Sequence, residues 1–159
     1  MSKKLRLSPK ISYFLGMYAY SPSRAIGVIA RNSEMLQRFI EIALKEYKVE
    51  PNDIHVDEKE NETQAYFYNT KLKKLLGKAL ERKEKTFAYK NAYAACYVAA
   101  IYDTVGGKDP KGIFIKRLKA TDDIIIERLG FRTKKRGIKT YIANPNEFIS
   151  FIGGYATTI

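Results

Sequence analysis

One order of elements runs through this sequence twice, and that repetition limits its possible folds more than any other feature. In the first half, Ser8 offers a capping hydroxyl and Pro9 a first-turn proline whose missing N–H costs nothing there. The helix they open is expected to run to about Tyr20 and to stop at Pro22. Residues 25–31, AIGVIAR, read as a strand. Asn32 and Ser33 then cap a second helix carrying Leu36, Phe39, Ile40, Ala43, Leu44 and Tyr47 at helical spacing. Beyond Pro51, two strand-like ends around a polar turn predict a hairpin, and residues 70–85 predict a closing helix with Leu72, Leu76 and Ala79 on its stripe. The second half repeats this order. A helix over residues 86–104 ends at Gly106 and Gly107, which are read as a C-cap and turn. A strand at 112–118, a capped helix at 121–130, a hairpin at 131–144 and a short helix from Pro145 follow. The offset is about 84 residues, aligning Gly16 with Ala100. The chain is therefore expected to hold two repeats, residues 1–85 and 86–159, joined as one pseudo-two-fold α+β unit, since neither half closes a core alone.

Charge narrows the function. The chain has 29 Lys and Arg against 17 Asp and Glu, a net +12, which favours a polyanion as partner. A thermophile-type surface also raises Lys and Glu, but it does not by itself leave such an imbalance. The excess is concentrated. Arg132, Lys134, Lys135, Arg136 and Lys139 crowd the second hairpin with no acid among them, whereas Asp53, Asp57, Glu58, Glu60 and Glu62 face one Lys59 in the first. On the strands, alternation puts Lys116 on one face with Ile115 and Arg117 on the other, and Arg24 and Arg31 at the two ends of the first-half strand. The basic run at residues 71–85 fits a solvated helix face as well as phosphate contact. Most aromatic side chains lie on apolar stripes and read as core. Cys96 reads as a small core residue of a protein from a reducing, cytoplasmic setting. No stretch is long and apolar enough for a membrane span, so no membrane partner is expected.

Two short strings carry a resemblance: FLGMYAYSP at residues 14–22 and VAAIYDTVG at 98–106. With the element order around them, over residues 9–155, the chain resembles the LAGLIDADG homing endonucleases in their pseudo-dimeric, two-motif form. The resemblance implies two motif helices packed side by side through small residues, here Gly16 and Ala19 against Ala95, Ala99 and Ala100. It also implies a saddle of antiparallel sheets over the DNA major groove. In that family an acid at the foot of each motif helix holds divalent metal for phosphodiester cleavage.

The acid positions are Ser21 and Val105 here, a weak magnesium ligand and none at all. Asp103 lies two residues before Val105 and reads as a helix-end capping carboxylate; Asp109 sits in a glycine-rich loop. No acid occurs in residues 11–32. No intact catalytic set and no cofactor are expected, with Mg²⁺ entering only if Asp103 or Asp109 serves a rebuilt site. Three strands per half are expected where the family carries four. The sequence thus predicts a nucleic-acid-binding protein, a monomer acting as a pseudo-dimer on double-stranded DNA, that has lost cleavage. A divergent metal-dependent endonuclease and an RNA-binding splicing cofactor are the alternatives. The expected contacts are Arg24, Arg31, Lys116, Arg117, Arg132, Lys134, Lys135, Arg136 and Lys139. The acidic hairpin either turns away from phosphates or meets a basic protein surface.

Overall fold

The computed structural model describes residues 5–21 and 24–159. The expected stop at Pro22 lies outside the described residues. The first motif helix, α1 (Pro9–Ala19), starts as its sequence demands: the Ser8 hydroxyl accepts from the Ile11 N–H at 3.1 Å, with proline in the first turn. Strand β1 (Ile26–Ala30), helix α2 (Ser33–Lys45), hairpin strands β2 (His55–Lys59) and β3 (Glu62–Phe67), and helices α3 (Thr70–Glu81) and α4 (Lys83–Thr86) complete the first half. Asn32 and Asn69 cap α2 and α3 through their side-chain oxygens. The predicted closing helix is interrupted at Arg82, so its basic tail belongs to the short α4.

The second half runs α5 (Ala92–Val105), β4 (Gly106–Asp109), β5 (Gly112–Lys116), α6 (Ala120–Arg128), β6 (Thr133–Arg136), β7 (Lys139–Ile142) and α7 (Pro145–Ile152). Three expectations are corrected here. The second motif helix begins at Ala92, because Asn91 caps it through the Ala94 N–H, and not at residue 86. Helix α6 begins at Ala120 behind Lys119, with no side-chain cap, so Thr121 is not its cap. Gly106 and Gly107 do not form a turn. They open β4, which pairs antiparallel with β5, so the second half has four strands in the order β4-β5-β7-β6. The first half has three among the described residues, in the order β1-β3-β2.

Helices α1 and α5 pack along each other at the centre, and the sheets flank them. A Cβ at Gly16 would stand 2.6 Å from the Tyr97 carbonyl oxygen and 2.7 Å from the Ala100 Cβ, so only hydrogen fits at this crossing. Ala99 and Ala100 are fully buried, and Ala19 nearly so. The helices bury almost every face, which explains their weak amphipathic pattern and their Ala-rich sequences. One apolar core runs through both halves, from Phe14, Phe39 and Phe67 in the first to Tyr97, Phe131 and Phe148 in the second.

Two carboxylates lie fully buried beside this crossing. Asp122 accepts from Tyr97 Oη at 2.7 Å and Tyr20 Oη at 2.6 Å, and pairs with Lys83 Nζ at 3.0 Å. Asp103 accepts from Tyr13 Oη at 2.5 Å, the Thr157 and Thr158 N–H groups at 2.8 and 3.1 Å, and Thr158 Oγ1 at 2.7 Å. A carboxylate so placed is tolerable only because donors replace its water. Burial first, and the adjacent carboxylate second, push the phenols of Tyr13, Tyr20 and Tyr97 well above their ordinary range, so each stays a donor.

The crossing predicts opposite outcomes for two helical glycines. Gly16→Ala should destabilise by about 1–3 kcal/mol through overpacking. Gly77→Ala, whose Cβ would meet nothing within 4 Å, should stabilise by about 0.5–1 kcal/mol. Urea midpoints at constant slope measure both.

Candidate nucleic-acid interface

Strand pairing decides which side chains share a face, since directly paired residues of antiparallel strands point the same way. In the second sheet Ile113, Ile115, Thr140 and Ile142 are buried against the helices. The opposite parity therefore forms the open face. Lys116 pairs with Lys139 and Lys139 with Arg136, giving one row; Phe114 pairs with Tyr141 and Tyr141 with Lys134, giving the next. Four cations from three strands thus stand side by side on one surface. Arg132, one residue before β6, has the same parity, and its N–H donates to Asn144 Oδ1 at 3.1 Å.

Two predicted contacts do not join them. Lys135 pairs with the buried Thr140 and so belongs to the other face, reaching solvent at the sheet's end. Arg117 is not on the Ile115 face: the strand ends at Lys116, Arg117 turns to φ 50, and its N–H donates to the Ile138 carbonyl. Alternation cannot be extended through a residue in the left-handed region.

Asp109 lies on the same open face and is fully engaged there. Its Oδ2 accepts from Lys139 Nζ at 2.9 Å and Tyr141 Oη at 2.7 Å, and its Oδ1 from the Lys111 N–H at 2.9 Å. Hydrogen bonds from Tyr141 and Lys139 hold its carboxyl down at about 2. Lys139 is further seated 4.2 Å above the Phe114 ring. Gly107 leaves room for that ring, since a Cβ there would stand 2.6 Å from its Cζ and the ring would have to shift.

Where the two sheets meet, Arg31 Nη1 donates to the Gly106 carbonyl, linking the end of β1 to the start of β4. Beside it opens a cavity of about 390 Å³ lined by Arg31, Lys108, Tyr102, Ile113, Thr158 and Ile159. This is the foot of α5, where Val105 is half-buried. Ser21 is half-buried at the foot of α1, its N–H on the Tyr18 carbonyl. Arg24 is exposed before β1, its carbonyl accepting from Lys73 Nζ.

A divalent cation asks for several oxygen ligands, mostly carboxylate. The residues at these feet do not fit one: Val105 supplies no ligand, Ser21 a weak one, and Asp103 has both oxygens closed off by four donors inside the core. Among the described residues no three His, Cys, Asp or Glu side chains group as metal ligands. Cys96 is buried, and desolvation lifts its thiol to about 11, which leaves it an unreactive core side chain.

The open face of the first sheet differs in chemistry. Ile26, Val28, Ala65 and Phe67 turn inward, leaving Ile29, His55, Asp57, Gln64 and Tyr66 outside. The His55 ring stacks on Tyr66 at 5.0 Å and 20°, and Tyr68 stands edge-on to both. In the sequence, Tyr66 and Tyr68 have the parity opposite to the buried Ala65 and Phe67, whereas His55 joins them only through its pairing with Tyr66.

Two motif helices crossing at small residues, flanked by two antiparallel sheets that meet at their inner strands, define the LAGLIDADG homing-endonuclease fold. Solved structures similar to this one include those of the homing endonuclease I-DmoI. Its mesophilic variants superpose with a TM-score of 0.68 at 15% identity, over 91% of this chain and 94% of theirs. The complex of I-DmoI with DNA and Mn gives 0.69 at 14% identity, over 95% and 98%. Its complex with DNA and Ca gives 0.66 at 14%, over 92% and 88%. No protein-family model and no curated protein matches the sequence. No helix among the described residues is long and apolar enough to cross a membrane.

The Asp109 clamp carries a pH prediction. Its folded-state carboxyl lies below its unfolded value, so the clamp is intact above the ordinary carboxylate range and is lost as pH falls towards about 2. The Asp109 carboxyl carbon, followed by NMR, should show its titration only at that acid end, and Lys139→Ala should raise the midpoint.

Proposed function

We propose that this chain binds double-stranded DNA across its open sheet faces, with the second sheet supplying most phosphate contacts, and that it does so without cutting. The observation that carries this reading is the cation group Lys116, Lys134, Arg136 and Lys139, drawn from three strands onto one face. A sheet with one buried face puts its polar side chains on the other; what sets this face apart is that four of them are cations, against the single acid Asp109. Here every strand but the innermost contributes, and the inward parity of β5 and β7 is apolar or Thr.

Lys116, Lys134 and Arg136 have exposed side chains able to follow phosphates, and each neutralised phosphate releases counterions. Lys139 is held by Asp109 and by Phe114, so it is a positioned donor and not a roaming one. Arg31 and Lys108 place positive charge at the foot of α5, where cleaving relatives would need carboxylates. A cationic foot suits a passing phosphate and disfavours a divalent metal. I-DmoI is seen with target DNA in the presence of Mn or Mg, and its fold is the second support for DNA as the ligand. Loss of cleavage follows from the residues at Ser21 and Val105 and from the full engagement of Asp103.

Changing Lys116, Lys134 and Arg136 together to Ala should weaken duplex binding and reduce the slope of log K against log salt by about 2–3, close to 0.9 for each phosphate left without its cation. The equivalent change at Lys135 alone should leave the slope nearly unaltered. Fluorescence anisotropy across a salt series separates the two. In the same samples, supercoiled plasmid with Mg²⁺ or Mn²⁺ should stay uncut. Metal-dependent nicking that disappears in Asp109→Asn would show a rebuilt catalytic site and overturn the non-cutting part of the reading.

A further inference from the structure

The open face of the first sheet is poorly suited to phosphates. Asp57 and Glu62 offset Lys59 and the nearby Arg31, and the adjoining turn adds Glu60. What this face offers in place of charge is aromatic surface. His55 is exposed, Tyr68 is 72% exposed, and Tyr66 lies between them on the central strand. Large rings left in water on a sheet face are uncommon where the same sheet has a core side to fill. Cross-strand stacking of His55 on Tyr66 accounts for that pair. It does not account for Tyr68, which meets both rings only by its edge, at 5.9 and 6.3 Å between centroids.

The three rings form a corner. His55 and Tyr66 lie within 20° of each other as a stacked pair, and Tyr68 stands at 68° and 84° to them as a wall. A flat heterocycle that extends the stack meets the wall with its edge. Two residues along β2, on the same face, Asp57 pairs with Gln64. The Asp57 carboxylate is already approached by the Tyr66 hydroxyl, whose proton it holds on; its remaining acceptor capacity faces the corner and repels phosphate. The part of a nucleotide that satisfies ring stacking and an acceptor together is a base bearing an exocyclic amine, adenine, cytosine or guanine, because the one donor of thymine, its N3–H, sits between two carbonyl oxygens that a carboxylate repels.

We propose that the corner of His55, Tyr66 and Tyr68, with Asp57 as acceptor, takes one unpaired amino-bearing base of a DNA strand whose adjoining duplex lies on the second sheet. This rests on the duplex-binding reading above. The two sheets cover one core and join through Arg31 and Gly106, and their open faces are taken to form one continuous surface, as in the duplex-binding reading. Paired bases in a duplex present only edges, so a stacking corner selects a nucleotide that has left the stack.

The test uses the full chain and four probes: a blunt duplex, the same duplex with a short unpaired tail containing 2-aminopurine, that tail with thymine in its place, and the aminopurine tail made of RNA. The expected result is at least fivefold tighter binding of the aminopurine tail than of the blunt duplex, with quenched fluorescence. Tyr68→Ala should remove both effects and leave blunt-duplex affinity unchanged, while Tyr68→Phe should retain them. Asp57→Asn should reduce the preference for aminopurine over thymine. Equal binding of tailed and blunt duplexes without quenching overturns the corner and leaves duplex binding standing. Quenching with an RNA tail but none with DNA overturns the assignment to DNA. Failure to bind any duplex removes both readings.

Discussion

The closeness of two helices governs this molecule. Where α1 crosses α5, the Gly16 backbone meets the Tyr97 carbonyl with no side chain between, and Ala99 and Ala100 keep the contact narrow. Such an approach excludes bulk from the crossing and displaces every larger polar group to its flanks. The consequence is visible in two tyrosines that occupy equivalent places in the repeats. Tyr13 reaches Asp103, and Tyr97 reaches Asp122, so each helix leans on a buried carboxylate that the other half helps to hold. The carboxylates are not equivalent, one belonging to α5 and the other to α6. The repeated order of elements has thus been kept while the polar fastening has diverged. Both sheets take their positions from this pair of helices.

The two halves have also diverged in what they present. The second sheet gathers cations and clamps one of them; the first exposes rings and acids near balance. A pseudo-dimer whose halves do the same work has no need for that difference. The acidic hairpin, at odds with a symmetric grip on a polyanion, becomes understandable if the first sheet is occupied with something other than phosphate. Its acids then discourage the backbone and leave the rings to the bases.

Most of the fold was legible in the sequence, because its signals are local. Ser8 and Asn32 cap where a helix must start, and the duplication at an offset of about 84 residues aligned Gly16 with Ala100. The strand β4 was not legible. Gly106, Gly107, Lys108 and Asp109 have low strand propensity, and they pair only because β5 and the foot of α5 bring them alongside. Of the interface, residue type was legible and face was not. Lys134, Arg136, Lys139 and Lys116 could be named as basic, but their shared surface needs the register between strands. Arg117 and Lys135 show the cost of lacking it. From its place in the sequence Asp103 reads as a capping carboxylate, yet its donors come from Tyr13 and from Thr157 and Thr158, residues remote in sequence.

The unlike faces of the two sheets have a consequence of their own. Lys116, Lys134, Arg136 and Lys139 stand on one, and His55, Asp57 and Tyr66 on the other. Two arms of different chemistry give a surface a direction. On the duplex-binding reading, a ligand turned end for end would present each arm to the wrong sheet.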